Sequence, residues 1–278
     1  MEPSVQVFGV PKLGNTEEEY EDASAYSLAA RRFAIADGAT ESSFADRWAQ
    51  SLVRHYTTSP PLTPPASVPL PEWLVPLQQT WHASIRWDRL PWFAEEKARA
   101  GAFATLLGLH FVGGDQVPSR WSLLNWLRRR RAGAARLRWH ALAVGDSCLF
   151  QVREDRLQRA FPLDRAAAFN DRPVLLSSNP LRNQAVWKAV RFAEGDCRPN
   201  DLFFLLTDAL AKWFLQECEA DRRPWGTLAA LRTQPEFGAW VNQARQEGAL
   251  RNDDTTLVLL RSPETLAEAP LPASRPRP

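Results

Sequence analysis

Residues 32–39 read Arg32-Phe-Ala-Ile-Ala-Asp-Gly-Ala39, an apolar run that ends on an aspartate and a glycine. The arrangement recurs three times, since Asp146 and Asp208 each close an apolar run and Asp253 opens one. Short apolar runs bounded by turn residues predict strands. If the four strands belong to one sandwich, the carboxylates can meet at one rim. Rigid carboxylate oxygens are the hard donors that Mg²⁺ and Mn²⁺ prefer.

Each of these aspartates, taken singly, also fits an ordinary turn. Asp37-Gly38 is a turn dipeptide, Gly145-Asp146-Ser147 suits a hairpin, and Asn252-Asp-Asp254 suits a loop before a strand. Four turns of the same design, each with an acid at a strand end, favour a shared role over four separate ones.

Composition bounds the class of protein. The chain has 278 residues, 45% hydrophobic and 24% charged, which is ordinary for a soluble globular protein and enough for a sizeable core. A net charge of +2 makes nucleic acid an unlikely partner. No run of about 18 apolar residues predicts a membrane span. The N-terminus lacks a signal-peptide pattern, and three cysteines without metal-like spacing fit reduced thiols. We therefore expect a cytoplasmic protein.

The order of predicted elements indicates the fold class. Strands are predicted over 5–10, 25–28, 32–36, 103–112, 137–144, 148–153, 157–161, 202–207 and 255–260. Helices are predicted over 42–56, over 72–100 with a break at Pro91, and over 209–220, 227–232 and 236–247. Groups of strands alternate with groups of helices, which favours an α+β sandwich flanked by helices over a doubly wound parallel sheet. We expect one domain over 1–261, with a basic helical insertion at about 113–137, and a disordered tail over 262–278.

The insertion carries the most basic stretch of the chain, Arg128-Arg-Arg-Arg131 followed by Arg136 and Arg138. One interpretation is a membrane- or nucleic-acid-associated adaptor that acts through residues 120–138. The other is the solvated face of an inserted helix, which the near-zero net charge favours.

Six short motifs, in this order, resemble those of the metal-dependent serine/threonine protein phosphatases of the 2C type, in a divergent, bacterial-like form. They are Glu21-Asp22-Ala23, Phe33-Ala-Ile-Ala-Asp-Gly38, Gly101-Ala-Phe-Ala-Thr-Leu-Leu107, Ala143-Val-Gly-Asp-Ser147, Leu205-Leu-Thr-Asp-Ala209 and Asn252-Asp-Asp-Thr-Thr-Leu-Val258. Each motif is weak alone, but six in order over residues 5–261 are specific. The resemblance implies an αββα sandwich of two mainly antiparallel sheets.

The resemblance also implies a site for two or three Mn²⁺ or Mg²⁺ ions. Asp37 would bridge two ions, the Gly38 carbonyl would bind one of them, and Asp208 and Asp253 would be further ligands. Asp22 would hold water beside the ions. Asp146 matches the acid that joins Asp208 at a third ion in bacterial members. The catalytic set would be Asp37, Asp208 and Asp253, acting through a metal-activated water, with Glu21 and Glu41 as additional candidates.

The motifs depart from the family at positions that bear on the phosphate. The family's phosphate-binding arginine falls on Glu17, and the histidine proposed as general acid in eukaryotic members is Ala39. Two glycines after Asp37-Gly38 are replaced, which brings in Glu41. The phosphate-binding residue is therefore unknown from sequence, with Lys12, Arg31 and Arg32 as open candidates.

The expected function is hydrolysis of phosphoserine and phosphothreonine on proteins, with a phosphorylated protein as substrate and a serine/threonine kinase as a plausible partner. An alternative from another class is a weak or inactive phosphatase-like module that binds a phosphoprotein or kinase. The presence of a cation near the metal site distinguishes the two.

Overall fold

The computed structural model describes residues 4–61, 69–113, 137–170 and 172–262. The basic helix predicted within 113–137 lies outside these residues. So does the predicted tail, apart from Ser262. The part of the chain that the structure describes contains no helix long and apolar enough to cross a membrane.

Two antiparallel five-stranded sheets form the centre of the molecule, with a two-stranded β4–β9 ribbon beside them. The described strands are β1 (Ser4–Val10), β2 (Ala23–Ser27), β3 (Arg32–Ala36), β4 (Phe103–Ala104), β5 (Leu106–Val112), β6 (Arg138–Val144), β7 (Cys148–Arg153), β8 (Arg156–Phe161), β9 (Leu176–Ser177), β10 (Arg191–Asp196), β11 (Leu202–Leu206) and β12 (Thr255–Arg261). The strand orders are β1-β12-β11-β7-β8 and β10-β6-β5-β3-β2.

Helices cover the outer face of each sheet. The described helices are α1 (Ala45–Thr58), α2 (Leu70–Ser84), α3 (Trp92–Ala100), α4 (Val186–Ala189), α5 (Asp208–Glu219), α6 (Pro224–Ala230) and α7 (Gln234–Gln246). Buried residues of α1 and α2 pack on the β2–β3–β5–β6 side, and those of α5, α6 and α7 pack on the other sheet. The predicted α+β, αββα sandwich is therefore confirmed.

Strand β3 shows why the sequence forms this layering. Phe33 and Ile35 point into the core between the sheets, whereas Ala34 and Ala36 point the other way, towards α1. The alternation follows from the two-residue period of a strand. Because the outward residues are alanines, the helix can lie close to the sheet, and its Trp48 fills the space with no exposed surface.

Strand β11 is buried on both faces. Phe203 and Leu205 belong to the core between the sheets, and Phe204 and Leu206 belong to the core beneath the helices. A strand without a solvent face needs no polar alternation, which explains the continuous apolar run seen in the sequence.

The short elements β9 and α4 and the edge strand β10 were not predicted, and one predicted strand is divided. Strand β10 lies in a region predicted to be irregular, because it is an edge strand whose polar residues hide the pattern. The single strand predicted over 103–112 is divided at Thr105. The backbone N–H of Thr105 donates to the Asp37 carbonyl at 2.8 Å, and its hydroxyl accepts from the Asp37 N–H at 2.8 Å. The break therefore fixes the backbone of Asp37.

Candidate metal centre

The strand register brings the predicted aspartates to one end of the sandwich. In one sheet Ile35 pairs with Leu107 and Leu106 pairs with Val144, so β3 and β6 end at the same level on either side of β5. In the other sheet Leu206 pairs with both Cys148 and Leu257. Asp37, Asp146, Asp208 and Asp253 lie within two residues of these strand ends, and Asp22 immediately precedes β2.

The acids influence one another electrostatically. The pKa of Asp37 is raised well above its usual value, first by burial and then by the negative charges of its neighbours. Those neighbours, in order of effect, are Asp22, Asp208, Asp146 and Asp253. Burial also raises the pKa of Asp208, and the charge of the nearby Arg251 opposes this rise. All five predicted aspartates therefore belong to one carboxylate cluster, and we use that name for Asp22, Asp37, Asp146, Asp208 and Asp253 below.

Asp146 occupies the tight turn between β6 and β7. Gly145 has φ +96°, and a Cβ there would lie 2.6 Å from the Thr105 side chain, so this position requires glycine. Burial, followed by the charge of Asp208, raises the pKa of Asp146 to about 7.

Asp22 has one satisfied and one unsatisfied oxygen. Its Oδ2 accepts a hydrogen bond from the Thr256 hydroxyl at 2.6 Å, and Thr256 is in turn bonded by the Tyr20 hydroxyl. Its Oδ1 has no hydrogen-bond partner among the described residues, and the residue is only 4% exposed. A buried, unpartnered carboxylate oxygen is unfavourable unless a cation or a bound water meets it.

Gly38 lies where two segments approach closely. A Cβ at this position would come within 2.6 Å of the Glu21 carbonyl oxygen and 3.1 Å of Ala45. The glycine of the Asp-Gly pair is thus required by packing beside the cluster. The carbonyl role predicted for Gly38 stays a prediction.

Arg251 contacts the cluster and was not predicted from sequence. Its Nη1 lies 3.4 Å from Asp208 Oδ2, and its Nη2 donates to Asp253 Oδ2. The two acids come from different segments of the chain, so only the folded structure shows that one guanidinium bridges them.

Asp254 is a second residue that the sequence reasoning missed. Its Oδ1 accepts from the backbone N–H of Lys12 and its Oδ2 from that of Glu21, both at 2.7 Å. This buried carboxylate therefore fixes the segment before Asp22 against the loop that carries Asp253. The only signal in the sequence is the second acid of Asn252-Asp-Asp.

The remaining site residues predicted from sequence lie at the edge of the carboxylate cluster or away from it. Glu21 is half-buried, and burial is the main cause that raises its pKa, opposed by a hydrogen bond from Thr40. Glu41 is exposed and makes no hydrogen bond or ion pair with any residue that the structure describes. Arg32 donates to the Thr58 carbonyl from the opposite end of β3, so it and Arg31 are excluded as phosphate-binding residues in this arrangement.

The donor set fits divalent cations. Within the described ranges, no three His, Cys, Asp or Glu side chains already form an ion cage. The chemistry nevertheless matches, because the cluster offers only hard oxygens, including a buried Asp22 oxygen that lacks a hydrogen-bond partner among the described residues. Two or three ions would be held by Asp37, Gly38, Asp146, Asp208 and Asp253, with Asp22 beside them.

The raised pKa values predict how stability depends on pH. The pKa of Asp146 is raised to about 7, and those of Asp22, Asp37 and Asp208 are raised as well. Above about pH 4 the folded chain therefore binds more protons than the unfolded chain, so stability falls as pH rises towards 7. In chelator, we expect a lower melting temperature at pH 8 than at pH 5. A melting temperature that is constant or rises would contradict the mutual repulsion of the acids.

Comparison with solved structures places the fold among known phosphatases. The catalytic domain of the serine threonine protein phosphatase PstP, in complex with 2 manganese ions, superposes with a TM-score of 0.56 at 13% identity, over 94% of this chain and 98% of that one. The Mycobacterium tuberculosis serine/threonine phosphatase PstP/Ppp gives 0.55 at 15% identity, over 95% and 100%. A bacterial serine phosphatase gives 0.57 at 12% identity, over 95% and 100%.

At the level of sequence, no family model and no curated protein matches this chain. Identities of this size show the fold alone. The chain has the fold of the serine/threonine phosphatases of the 2C type, over nearly the whole length of the structures it resembles.

Proposed function

We propose that this protein is a cytoplasmic, Mn²⁺- or Mg²⁺-dependent phosphatase that hydrolyses phosphoserine and phosphothreonine on proteins. The observation that carries the proposal is the convergence of five aspartates at one end of an αββα sandwich, where burial and neighbouring charges raise the pKa values of Asp22, Asp37, Asp146 and Asp208. The manganese ions of the PstP catalytic domain, which has this fold, support the choice of metal.

Divalent ions, when bound, activate water for attack on phosphorus and neutralise the charge that develops on the phosphoryl oxygens. The chain's own residues orient the donors. Thr105 holds both backbone groups of Asp37, and its hydroxyl is linked to that of Ser147 at 2.7 Å. Asp254 joins the segment before Asp22 to the loop of Asp253. Such supporting contacts fix ligand geometry before any ion arrives.

A covalent cysteine route is disfavoured by the described thiols. Cys148 is the cysteine nearest the cluster, and burial raises its pKa well above the usual value. Its thiol donates to the Asp146 carbonyl instead of facing solvent. Burial also raises the pKa of Cys197 to about 12 and that of Cys218 to about 11. Nucleophilic cysteines need a lowered pKa, so water is the better nucleophile here.

Turnover with and without chelator tests the proposal. We expect the purified protein to hydrolyse p-nitrophenyl phosphate and a phosphothreonine peptide with Mn²⁺, to lose this activity in EDTA, and to regain it when Mn²⁺ is added in excess. A phosphotyrosine peptide is the matched control for substrate class. Activity that survives EDTA would exclude the metal mechanism.

The rival function is a non-catalytic module that binds a phosphoprotein or kinase, and the exposed Glu17 at the family's arginine position favours it. It predicts Mn²⁺ binding without turnover of either peptide. The adaptor interpretation of residues 120–138 falls almost wholly outside the described residues. Binding to anionic vesicles that salt abolishes would support it. A serine/threonine kinase that makes the substrate remains a proposed partner.

A further inference from the structure

A phosphate ester that approaches the carboxylate cluster meets like charge. Five aspartates surround the site, and position 17 offers an exposed glutamate rather than a cation. Divalent ions offset part of this repulsion, but a dianionic phosphate also needs hydrogen-bond donors that fix its orientation. The chain must therefore provide a cation at the rim of the cluster if it binds phosphate at all.

Arg251 is placed to do this. Its guanidinium contacts Asp208 and Asp253, and its side chain is 56% exposed, so it lies at the mouth of the cluster rather than inside the core. A guanidinium has five N–H donors in a planar fork. Of these contacts only that of Nη2 with Asp253 is a hydrogen bond, which leaves further N–H donors for a ligand that arrives from solvent.

Among the ion pairs of the residues that the structure describes, those of Arg251 are the ones that join a cation to a carboxylate of the cluster. Arg245 is buried, and its guanidinium donates to the carbonyls of Pro11 and Asp253. Arg31 and Arg32 begin β3 at the opposite end from Asp37. The backbone of Lys12 is bound to Asp254, but no described side-chain contact brings its ammonium group to the cluster.

We propose that Arg251 is the phosphate-binding residue of this site and takes over the role that position 17 has lost. The inference rests on the proposed function. It names the residue that binds the phosphate group of the substrate, a phosphate monoester. Arg251 exchanges its carboxylate contacts for two phosphoryl oxygens of the substrate. The planar fork matches two oxygens of one phosphate, which a lysine ammonium cannot do.

The test compares Arg251→Gln and Arg251→Lys with the matched control Arg222→Gln. Arg222 is also an exposed arginine that makes a two-point pair, with Glu217, but it lies on the C-terminal side of α5, away from the cluster. At saturating Mn²⁺ we measure KM and kcat for p-nitrophenyl phosphate, and we titrate inorganic phosphate by calorimetry. Removing a charged hydrogen-bond donor corresponds to roughly 10- to 100-fold in affinity.

We expect both Arg251 variants to raise KM and to weaken phosphate binding, Gln by roughly 10- to 100-fold and Lys by less, while kcat changes less than KM. Arg222→Gln should match the wild type. A thermal melt of each variant confirms that it is folded. If Arg251→Gln changes Mn²⁺ affinity alone, with phosphate binding and KM unchanged, Arg251 only neutralises the acids and the inference is overturned.

The calorimetric titration with phosphate distinguishes failure of this inference from failure of the proposed function. If the wild type binds Mn²⁺ and phosphate without turnover, and only the Arg251 variants lose phosphate, the phosphate-binding role stands and the enzymatic proposal fails. If the wild type turns over substrate and all three variants match it, the enzyme stands and the role of Arg251 fails. Absence of phosphate binding to the Mn²⁺-loaded wild type overturns the inference as well.

Discussion

Replacement of Asp37 by asparagine is expected to abolish Mn²⁺ binding and to lower turnover roughly 10³-fold, because several kcal/mol of charge stabilisation depend on its oxygens. The fold should persist. Both backbone groups of Asp37 keep their bonds to Thr105, and the substitution removes one charge from a group of mutually repelling acids. The melting temperature in chelator should therefore stay the same or rise.

Calorimetric titration with Mn²⁺ and a thermal melt provide the two measurements. Asp164→Asn is the matched control, since Asp164 is an exposed aspartate in the segment after β8. Unchanged Mn²⁺ affinity in Asp37→Asn would contradict the assignment of the metal centre. A large drop in melting temperature would instead give Asp37 a structural role.

The second large effect is expected at the opposite end of the sandwich. Asp201 is fully buried, with 0% of its surface exposed, and it begins the turn into β11. It forms a two-point pair with Arg153 at 2.7 and 2.8 Å and accepts further bonds from the Gln151 side chain and the Arg198 N–H. Replacing it by alanine breaks this buried ion pair and leaves the side-chain donors of Arg153 and Gln151 with only their contacts to Asp196, and we expect a cost of about 3–5 kcal/mol.

Chemical denaturation of Asp201→Ala measures this loss. The control is Glu217→Ala, which removes the partner of a comparable two-point pair with the exposed Arg222, and should cost less than about 1 kcal/mol. Folded Asp201→Ala should keep its turnover per molecule, because β11 separates Asp201 from Asp208. Equal losses in the two variants would show that burial does not set the strength of the Asp201 pair.

The strands that could be predicted are those whose burial produces a clear pattern of apolar residues in the sequence. The run 202–206 is apolar throughout because β11 is buried on both faces, and 32–36 alternates large and small residues because β3 separates two cores. Strand β10 could not be predicted, since an edge strand tolerates charged residues on its open side. The break at Thr105 was hidden because apolar residues continue on both sides of it.

Some residues of the candidate site could be predicted from the sequence, and others could not. The sequence predicts acids at strand ends, since each Asp follows or precedes its own strand within a few residues. Asp254 and Arg251 gain their roles only when remote segments meet. The bond from Asp254 to the Lys12 N–H spans 242 residues, and no local pattern encodes such a partner. The same holds for the Asp22 oxygen that lacks a partner, because its isolation depends on burial by other segments.

The position of β12 has a consequence for the order in which this protein matures on the ribosome. Strand β12 is the last strand in the part of the chain that the structure describes, yet it lies in the sheet between β1 and β11, where Val258 pairs with both Val7 and Leu205. A nascent chain that has reached residue 250 already carries four of the five clustered aspartates but lacks Asp253. Until β12 emerges, β1 and β11 present unpaired edges that invite association with other chains. The site therefore receives its last aspartate, Asp253, in the same step that closes the sheet.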